Sequence, residues 1–324
     1  MRKDRYLGID GCKAGWFFVS IGPEGESEFG VFENIRKLFA AYAVSKWMLI
    51  DIPIGLPQPD IPIRTCDKQA RTVLSPQRHH SIFPPPCRNA LTAKTYRAAC
   101  HINQRVTGRK ISRQAYYIGQ KILEVDRLLE NNFKARKVIR ESHPEICFWA
   151  LAGFNPMEYY KKSKEGLAER LDILKSYFPR SSAIYKAALG RYLRKEVAKD
   201  DILDALALAI TATMLDEGAK RLPETLEKDH LGLPMEIVYA ISDQSGHICE
   251  PSEPDVIIIN DLKSAGVDTG SSKPNATGTY SIVDVGGETY FQIDIGSSSS
   301  TKKNQSIRFG SKAIKQLKSI IEKL

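Results

Sequence analysis

The sequence predicts an α/β domain built on an open, covered sheet, followed by a small α+β module. Three stretches carry that prediction. Arg5 to Gly22 reads as two strands joined by a tight glycine turn, with Tyr6, Leu7 and Ile9 leading into Asp10 and Trp16 to Ile21 leading back. An unbroken apolar run without helical spacing, ended by glycines, is the pattern of strands inside a covered sheet. Lys46 to Gly55 repeats the pattern, with Asp51 at the far end of the strand and Pro53 barring its continuation. Lys199 to Met214 is an alanine-rich helix able to lie close on a sheet, and its Asp201 and Asp204, three apart, share one face.

After the first hairpin, Glu28 to Phe32 can form a third strand, and residues 34–44 place apolar side chains at 35, 38, 39 and 42, which is helical spacing. A strand reached through a helical crossover runs parallel to its sheet neighbour. Asp10 and Asp51 are therefore expected side by side at the carboxyl edge, where open α/β sheets place their ligands. A carboxylate there is costly unless something positive meets it. Gly11 and Gly15 leave room for a phosphate or a second backbone to approach Asp10. Taken alone, Asp10 could equally be a structural cap of the turn.

Residues 56–136 form a long excursion. It begins with prolines at 57, 59 and 62, passes Ser81-Ile-Phe-Pro-Pro-Pro86, and reads as helical from about Ser112 to Asn131, with Tyr116, Ile122, Leu123, Val125 and Leu129 inward. Insertions of this length are usually functional, and this one is the expected place for substrate grip. Between residues 61 and 140 there are 17 Lys or Arg against four acids, so the net charge of +9 is concentrated here and the rest of the chain is slightly acidic. A positive block beside carboxylates suits a polyanionic substrate. The plain alternative is a solvated helical surface.

Lys137 to Ile146 is the next strand-to-helix junction: Pro144 fits the first helical turn, Glu145 suits its positive end, and Glu141 ends the strand as Asp10 and Asp51 end theirs. His143 reads as a polar edge residue at the turn rather than a proton carrier. Basic helices with apolar stripes follow over 160–198, and Met235 to Ile241 is a last strand closing a domain of residues 1–243. Residues 262–279, rich in Gly, Ser, Thr, Pro and Asn, resemble a mobile loop. Thr279–Val285 and Glu288–Ile295 suggest a hairpin turned at Gly286-Gly287, and Ser311–Leu324 an amphipathic helix. Residues 250–324 are thus expected to be a separate small module, a candidate for binding nucleic acid or a protein partner, its positive residues equally readable as a solvated face. No internal repeat is found.

With 42% hydrophobic and 26% charged residues the chain belongs to the soluble globular class. No apolar run approaches the ~20 residues that span a bilayer, and the first strand starts too early to leave room for a signal peptide. The six cysteines are scattered without a Cys-x-x-Cys pair, which points to reduced thiols in a cytoplasmic protein. His79, His80, Cys87, Cys100 and His101 fall near one another, but their spacing matches no zinc pattern.

Gly-Ile-Asp-Gly-Cys-Lys-Ala-Gly-Trp, Asp-Ile-Pro-Ile-Gly-Leu-Pro, Cys66-Asp-Lys-Gln-Ala-Arg71, Ser81-Ile-Phe-Pro, Ser112-Arg-Gln-Ala, Glu141-Ser-His-Pro-Glu and Asp200-Asp-Ile-Leu-Asp-Ala occur in this order. Over roughly residues 5–243 the chain resembles the uncharacterised family described as predicted RNase H-like nucleases (domain of unknown function 429). The C-terminal module resembles no recognised family. The resemblance implies an RNase H-like fold, a mixed five-stranded sheet with helices on both faces, and metal-dependent phosphodiester hydrolysis of DNA or RNA. The Asp201-x-x-Asp204-Ala stretch is also similar to the final acidic motif of RuvC-type junction resolvases.

On this reading Asp10, Asp51, Asp201 and Asp204 converge on two Mg²⁺ or Mn²⁺ ions, with Glu141 as a further catalytic carboxylate and candidate ligand. Several carboxylates stay ionised at close range only with positive charge between them, and hard oxygen donors select magnesium or manganese. Two ions about 4 Å apart activate a water and stabilise the leaving oxygen. Arg64, Arg71, Arg113 and Lys121 are the expected phosphate holders. Two other readings compete. One is a nucleotide-phosphate-handling enzyme on the actin and sugar-kinase version of the fold, which needs two such domains where one is read. The other is a nucleic-acid or partner-binding protein with a vestigial acidic site.

Overall fold

The computed structural model describes residues 4–241, the strands at 256–259, 278–285, 288–295 and 305–309, and Ile314. The chain divides into two compact units, residues 1–248 and 249–324. The first hairpin is strands β1 (Tyr6–Cys12) and β2 (Gly15–Ile21), followed by β3 (Ser27–Phe32), helix α1 (Ile35–Tyr42) and β4 (Trp47–Ile50). The excursion holds α2 (Thr65–Val73), α3 (Arg88–Leu91), α4 (Tyr96–Thr107), α5 (Arg113–Tyr117), α6 (Gly119–Asn131) and α7 (Phe133–Val138). It returns through β5 (Ile139–Glu141) to α8 (Pro144–Leu151), α9 (Lys164–Tyr177), α10 (Ser181–Arg191) and α11 (Lys199–Gly218). A second hairpin, β6 (Ala219–Lys228) and β7 (Pro234–Ala240), completes the unit.

Strands β1 to β5 form one mixed sheet in the order β3-β2-β1-β4-β5. The β1–β2 and β2–β3 pairs are antiparallel, as tight turns require, whereas β4 is parallel to both β1 and β5, reached through helical connections. The apolar runs of β1, β2 and β4 are explained by cover on both faces. On one face Phe17, Val19 and Leu49 pack with Leu203, Leu206 and Ile210 of α11 and Phe148 of α8. On the other, Leu7, Ile9, Phe18 and Ile50 meet Leu38 and Tyr42 of α1 and Ile122, Val125 and Leu129 of α6.

Helix α11 lies against β1 with backbone touching backbone. A Cβ placed on Gly8 would stand 2.1 Å from the carbonyl oxygen of Ala205 and 2.2 Å from the amide of Ala209. Neither group can yield without moving the helix. Gly8→Ala should therefore lower stability by about 1–3 kcal/mol or more through overpacking, read as a fall in thermal midpoint. At its far end α11 is fastened as well: Asp216 accepts bonds from the Tyr6 hydroxyl (3.1 Å) and the Trp47 indole (3.0 Å) and pairs with Lys46.

Several elements differ from the sequence expectation. The helix over 112–131 is broken at Ile118, where the Lys121 amide donates to the Ile118 carbonyl three residues back, a tighter turn that separates α5 from α6. The strand ending at Glu141 is three residues long because Asn132 caps a helix, α7, over the preceding stretch. The last strand is present, but it pairs with the unexpected β6 in a separate two-stranded sheet. In the second unit β8 (Val256–Ile259), β9 (Gly278–Val285), β10 (Glu288–Ile295) and β11 (Gln305–Phe309) form a four-stranded sheet ordered β8-β11-β10-β9. Strands β9 and β10 form the expected antiparallel hairpin. The helix expected over Ser311–Leu324 lies, apart from Ile314, outside the described residues, as does nearly all of the 262–279 loop. Among the described residues no helix is long and apolar enough to cross a membrane. Cys12, Cys66, Cys87, Cys100 and Cys147 are buried free thiols, and Cys249 lies outside the described residues.

Candidate active site

Register sets which acids meet. Ile9 of β1 stands beside Ile50 of β4, and Ile50 beside Glu141 of β5. Side chains alternate faces along a strand, so these three share one face, and the next residues, Asp10 and Asp51, are directed to the face that α11 covers. The Asp51 amide donates to the Ile9 carbonyl at 3.0 Å, which holds the two strand ends together. From α11, Asp204 projects from the second helical turn and is buried, and Asp201 lies one turn earlier. The result is a cleft of about 240 Å³ at the carboxyl edge of the sheet, whose walls include Asp10, Asp51, Asp204, Glu141, Lys121 and Lys161.

The carboxylates act on one another. Burial raises the Asp10 carboxyl well above its ordinary range, and the charges of Asp51, Asp201 and Asp204 raise it further. Asp204 is pushed up to about 6 by burial, against the pull of the Lys161 ammonium. Lys161, on the loop between α8 and α9, places Nζ 2.9 Å from Asp204 Oδ2 and 3.5 Å from Asp200 Oδ2, and these charges raise its own pKa. The Lys161 charge also opposes the rise at Asp10, without a direct ion pair there or at Asp51 among the described residues. Among those residues neither side chain accepts a hydrogen bond.

Asp201 has a local duty: its Oδ2 accepts the Ala198 amide at 2.8 Å and caps α11. Its pKa is raised chiefly by burial. Glu141 departs from the expectation. It lines the cleft from the opposite face of the sheet to Asp10 and Asp51, one residue out of step, and its Oε2 accepts from Arg64 Nη2 and from the Ile54 amide, both at 2.6 Å.

Arg64 requires a correction. It is 1% exposed, bonded to Glu141 and 3.7 Å from Asp67, so no phosphate can reach it from solvent. Arg71 donates twice to the Ile82 carbonyl, at 2.8 and 2.5 Å, and so fastens the Ser81–Pro86 segment to α2. Lys121 does lie on the cleft wall, donating to the Gly15 carbonyl with its ammonium 4.5 Å from the centre of the Trp16 ring, and burial lowers its pKa. Arg113 is exposed on α5, its guanidinium 4.3 Å from the centre of the Tyr96 ring. His143 caps α8, accepting the Glu145 amide at 3.2 Å.

Two cleft residues carry no clear sign in the sequence. Lys161 stands in a run of similar lysines. Glu145 reads only as a helix-start acid, yet it lines the cleft and its charge helps to raise Asp204. Its Oε1 accepts from the buried Arg170 at 2.6 Å, while its buried Oε2 has no partner among the described residues.

The chemistry of this donor set fits a hard divalent cation: among the described residues the carboxylates of Asp10 and Asp51 meet no protein donor, and a buried oxygen of Glu145 is unsatisfied. Among the described residues, however, no three His, Cys, Asp or Glu side chains are already grouped closely enough to hold an ion, and the His79–His101 segment forms no such group either. Comparison with curated proteins and with solved structures returned no match. The model of one family of proteins of unknown function, DUF429, matches residues 8–228, and the chain belongs to that family.

Proposed function

We propose that the protein hydrolyses phosphodiester bonds of a nucleic acid in this cleft with the help of Mg²⁺ or Mn²⁺. The observation that carries the reading is that Asp10, Asp51 and Asp204, from two parallel strands and one helix, line one cleft, with Asp10 and Asp51 unpaired among the described residues. A mixed five-stranded sheet with helices on both faces is the architecture the RNase H-like resemblance implies, which supports it further. The basic excursion over 61–140 supports a polyanionic substrate.

Asp10, Asp51 and Asp204 would hold the metal, with Glu145 lining the same cleft. Bound there, a divalent ion supplies Lewis-acid polarisation of a phosphate oxygen and lowers the pKa of a water. The chain's own residues set the stage. Asp204 is oriented by Lys161, the phase of α11 is fixed by the Asp201 cap, and Lys121 presents positive charge from the opposite wall. The test is a Mn²⁺-dependent cleavage screen over single-stranded DNA, duplex, RNA, hybrid and branched junction. At least one substrate should be cut and protected by a chelator. If none is cut, the proposal falls.

One observation favours a second reading, a nucleic-acid-binding protein with a vestigial site. The Lys161 ammonium already supplies positive charge to Asp204 and Asp200, the service a metal would perform. Lys161→Gln decides between them. If the acids bind metal, removing the competing ammonium should tighten Mn²⁺ binding by about tenfold or more in calorimetry. That is a fraction of the ~4 kcal/mol exchanged by unit charges 4 Å apart near a protein surface. A vestigial site gives no Mn²⁺ binding in either protein.

A further inference from the structure

The excursion contains a second feature. From Lys68 to Leu123 there are eleven Lys or Arg and no Asp or Glu. Some of these cations are consumed internally: Arg71 and Arg78 donate to backbone carbonyls, and Arg88 is clamped by Asp126 and Asp229. Lys94, Arg97, Arg105, Arg109, Lys110 and Arg113 are exposed, and among the described residues none of them pairs with a carboxylate. A folded surface normally intersperses both signs. An uncompensated block of one sign is a standing attraction for a polyanion.

Aromatic rings stand within this block. Tyr96 of α4 and Tyr116 of α5 meet edge to face with centroids 5.3 Å apart, Tyr117 follows at 6.2 Å from Tyr116, and the Arg113 guanidinium covers Tyr96. Tyr117 is 72% exposed, an unusual position for a large ring with no core to join. Beside it opens an apolar pocket of about 200 Å³ walled by Pro86, Leu91, Ile111, Ala115, Tyr116 and Tyr117. The turn between α5 and α6 serves both places. Gln114, Ile118 and Lys121 face the acidic cleft, while Tyr116, Tyr117 and Gly119 face the pocket.

We infer that this pocket receives an unstacked nucleobase of a single strand, stacked on Tyr117, while the exposed cations of 94–113 carry the neighbouring phosphates. An aromatic face with a positively charged track is how proteins hold single strands without reading their sequence. A duplex keeps its bases stacked inside and offers nothing to this pocket. The inference rests on the nucleic-acid reading of the same domain and narrows it to a strand with accessible bases.

The test measures binding, with the full chain in a chelator so that no cleavage occurs. Fluorescence anisotropy compares a labelled single-stranded oligodeoxynucleotide, its abasic counterpart and the duplex, against wild type, Tyr117→Ala and Tyr117→Phe. Tyr117→Ala should weaken binding of the base-bearing strand roughly five- to hundred-fold, leave the abasic strand unchanged, and be rescued by Tyr117→Phe. The ring is exposed, so its loss should not disturb folding. Equal binding of the base-bearing strand by wild type and Tyr117→Ala overturns the inference. So does an equal loss on the abasic strand, or a wild type that prefers duplex. A wild type that binds no oligonucleotide also overturns it and leaves the tyrosines to a protein partner. The outcome is separable from the cleavage screen: base-dependent binding without cleavage refutes only the nuclease, and cleavage indifferent to Tyr117 refutes only the pocket.

Discussion

Asp10→Asn should abolish Mn²⁺-dependent cleavage, by roughly three orders of magnitude or more, and should unfold at the same temperature as wild type or a higher one. The loss follows from removing one anionic oxygen donor from a site whose ion would contribute several kcal/mol to the transition state. The gain in stability follows from the sign of the Asp10 shift. Burial, then Asp51, Asp201 and Asp204, raise its pKa in the folded chain, so the folded state holds the Asp10 proton more firmly than the unfolded state does. Its contribution to stability therefore grows as pH falls through the folded value, and at neutral pH the ionised form is a burden. Asparagine is the permanently neutral analogue. Cleavage assays and thermal melts at pH 7 on the same preparations check both halves. Undiminished cleavage removes Asp10 from the mechanism, and a melt well below wild type means that its carboxylate is structural.

Arg64→Met should be the most destabilising single change near the cleft, costing about 3–5 kcal/mol because it leaves the buried Glu141 without its guanidinium. Arg64 is 1% exposed and bonded to Glu141 at 2.6 Å, with Asp67 at 3.7 Å. Its Nε and Nη1 are buried without partners among the described residues, a further cost that the ion pair must offset. Replacing both charges, Arg64→Met with Glu141→Gln, should recover a good part of the loss, because a neutral pair needs no counter-charge. Chemical denaturation of the two variants and wild type measures this. An Arg64→Met midpoint indistinguishable from wild type would show that the pair carries no stability.

The strands of the main sheet were readable where cover on both faces left no polar side chain to interrupt the run, as in β1, β2 and β4. The acids at their ends stood out for the same reason. Strand β6 gave no such signal: apart from Pro223 its side chains are exposed or half-buried, and its register shifts between Leu222 and Glu227. Glu141 was aligned with Asp10 and Asp51 because a three-residue strand has too few side chains to reveal its alternation, and one residue of offset moves it to the other face. Helix α4 carried legible punctuation, a Thr95 cap and a left-handed Gly108, but its buried side chains, Ala99, Cys100 and Asn103, are too few and too little apolar to mark a helical face. Lys161 was beyond sequence reasoning. Its role depends on a loop that returns to α11 from a different part of the fold.

The bond set at Asp216 reaches further than its surroundings. Tyr6, Lys46 and Trp47 hold the tail of α11 at the opposite end of the strands from the cleft, and Gly8 seats its middle. A helix turns about 100° per residue, so a rod anchored at its tail and middle has its leading turn aimed by remote fastenings. The azimuth of Asp201 and Asp204 is thus governed in part by side chains that can never touch a substrate, and residues far from the cleft share responsibility for where its charges point.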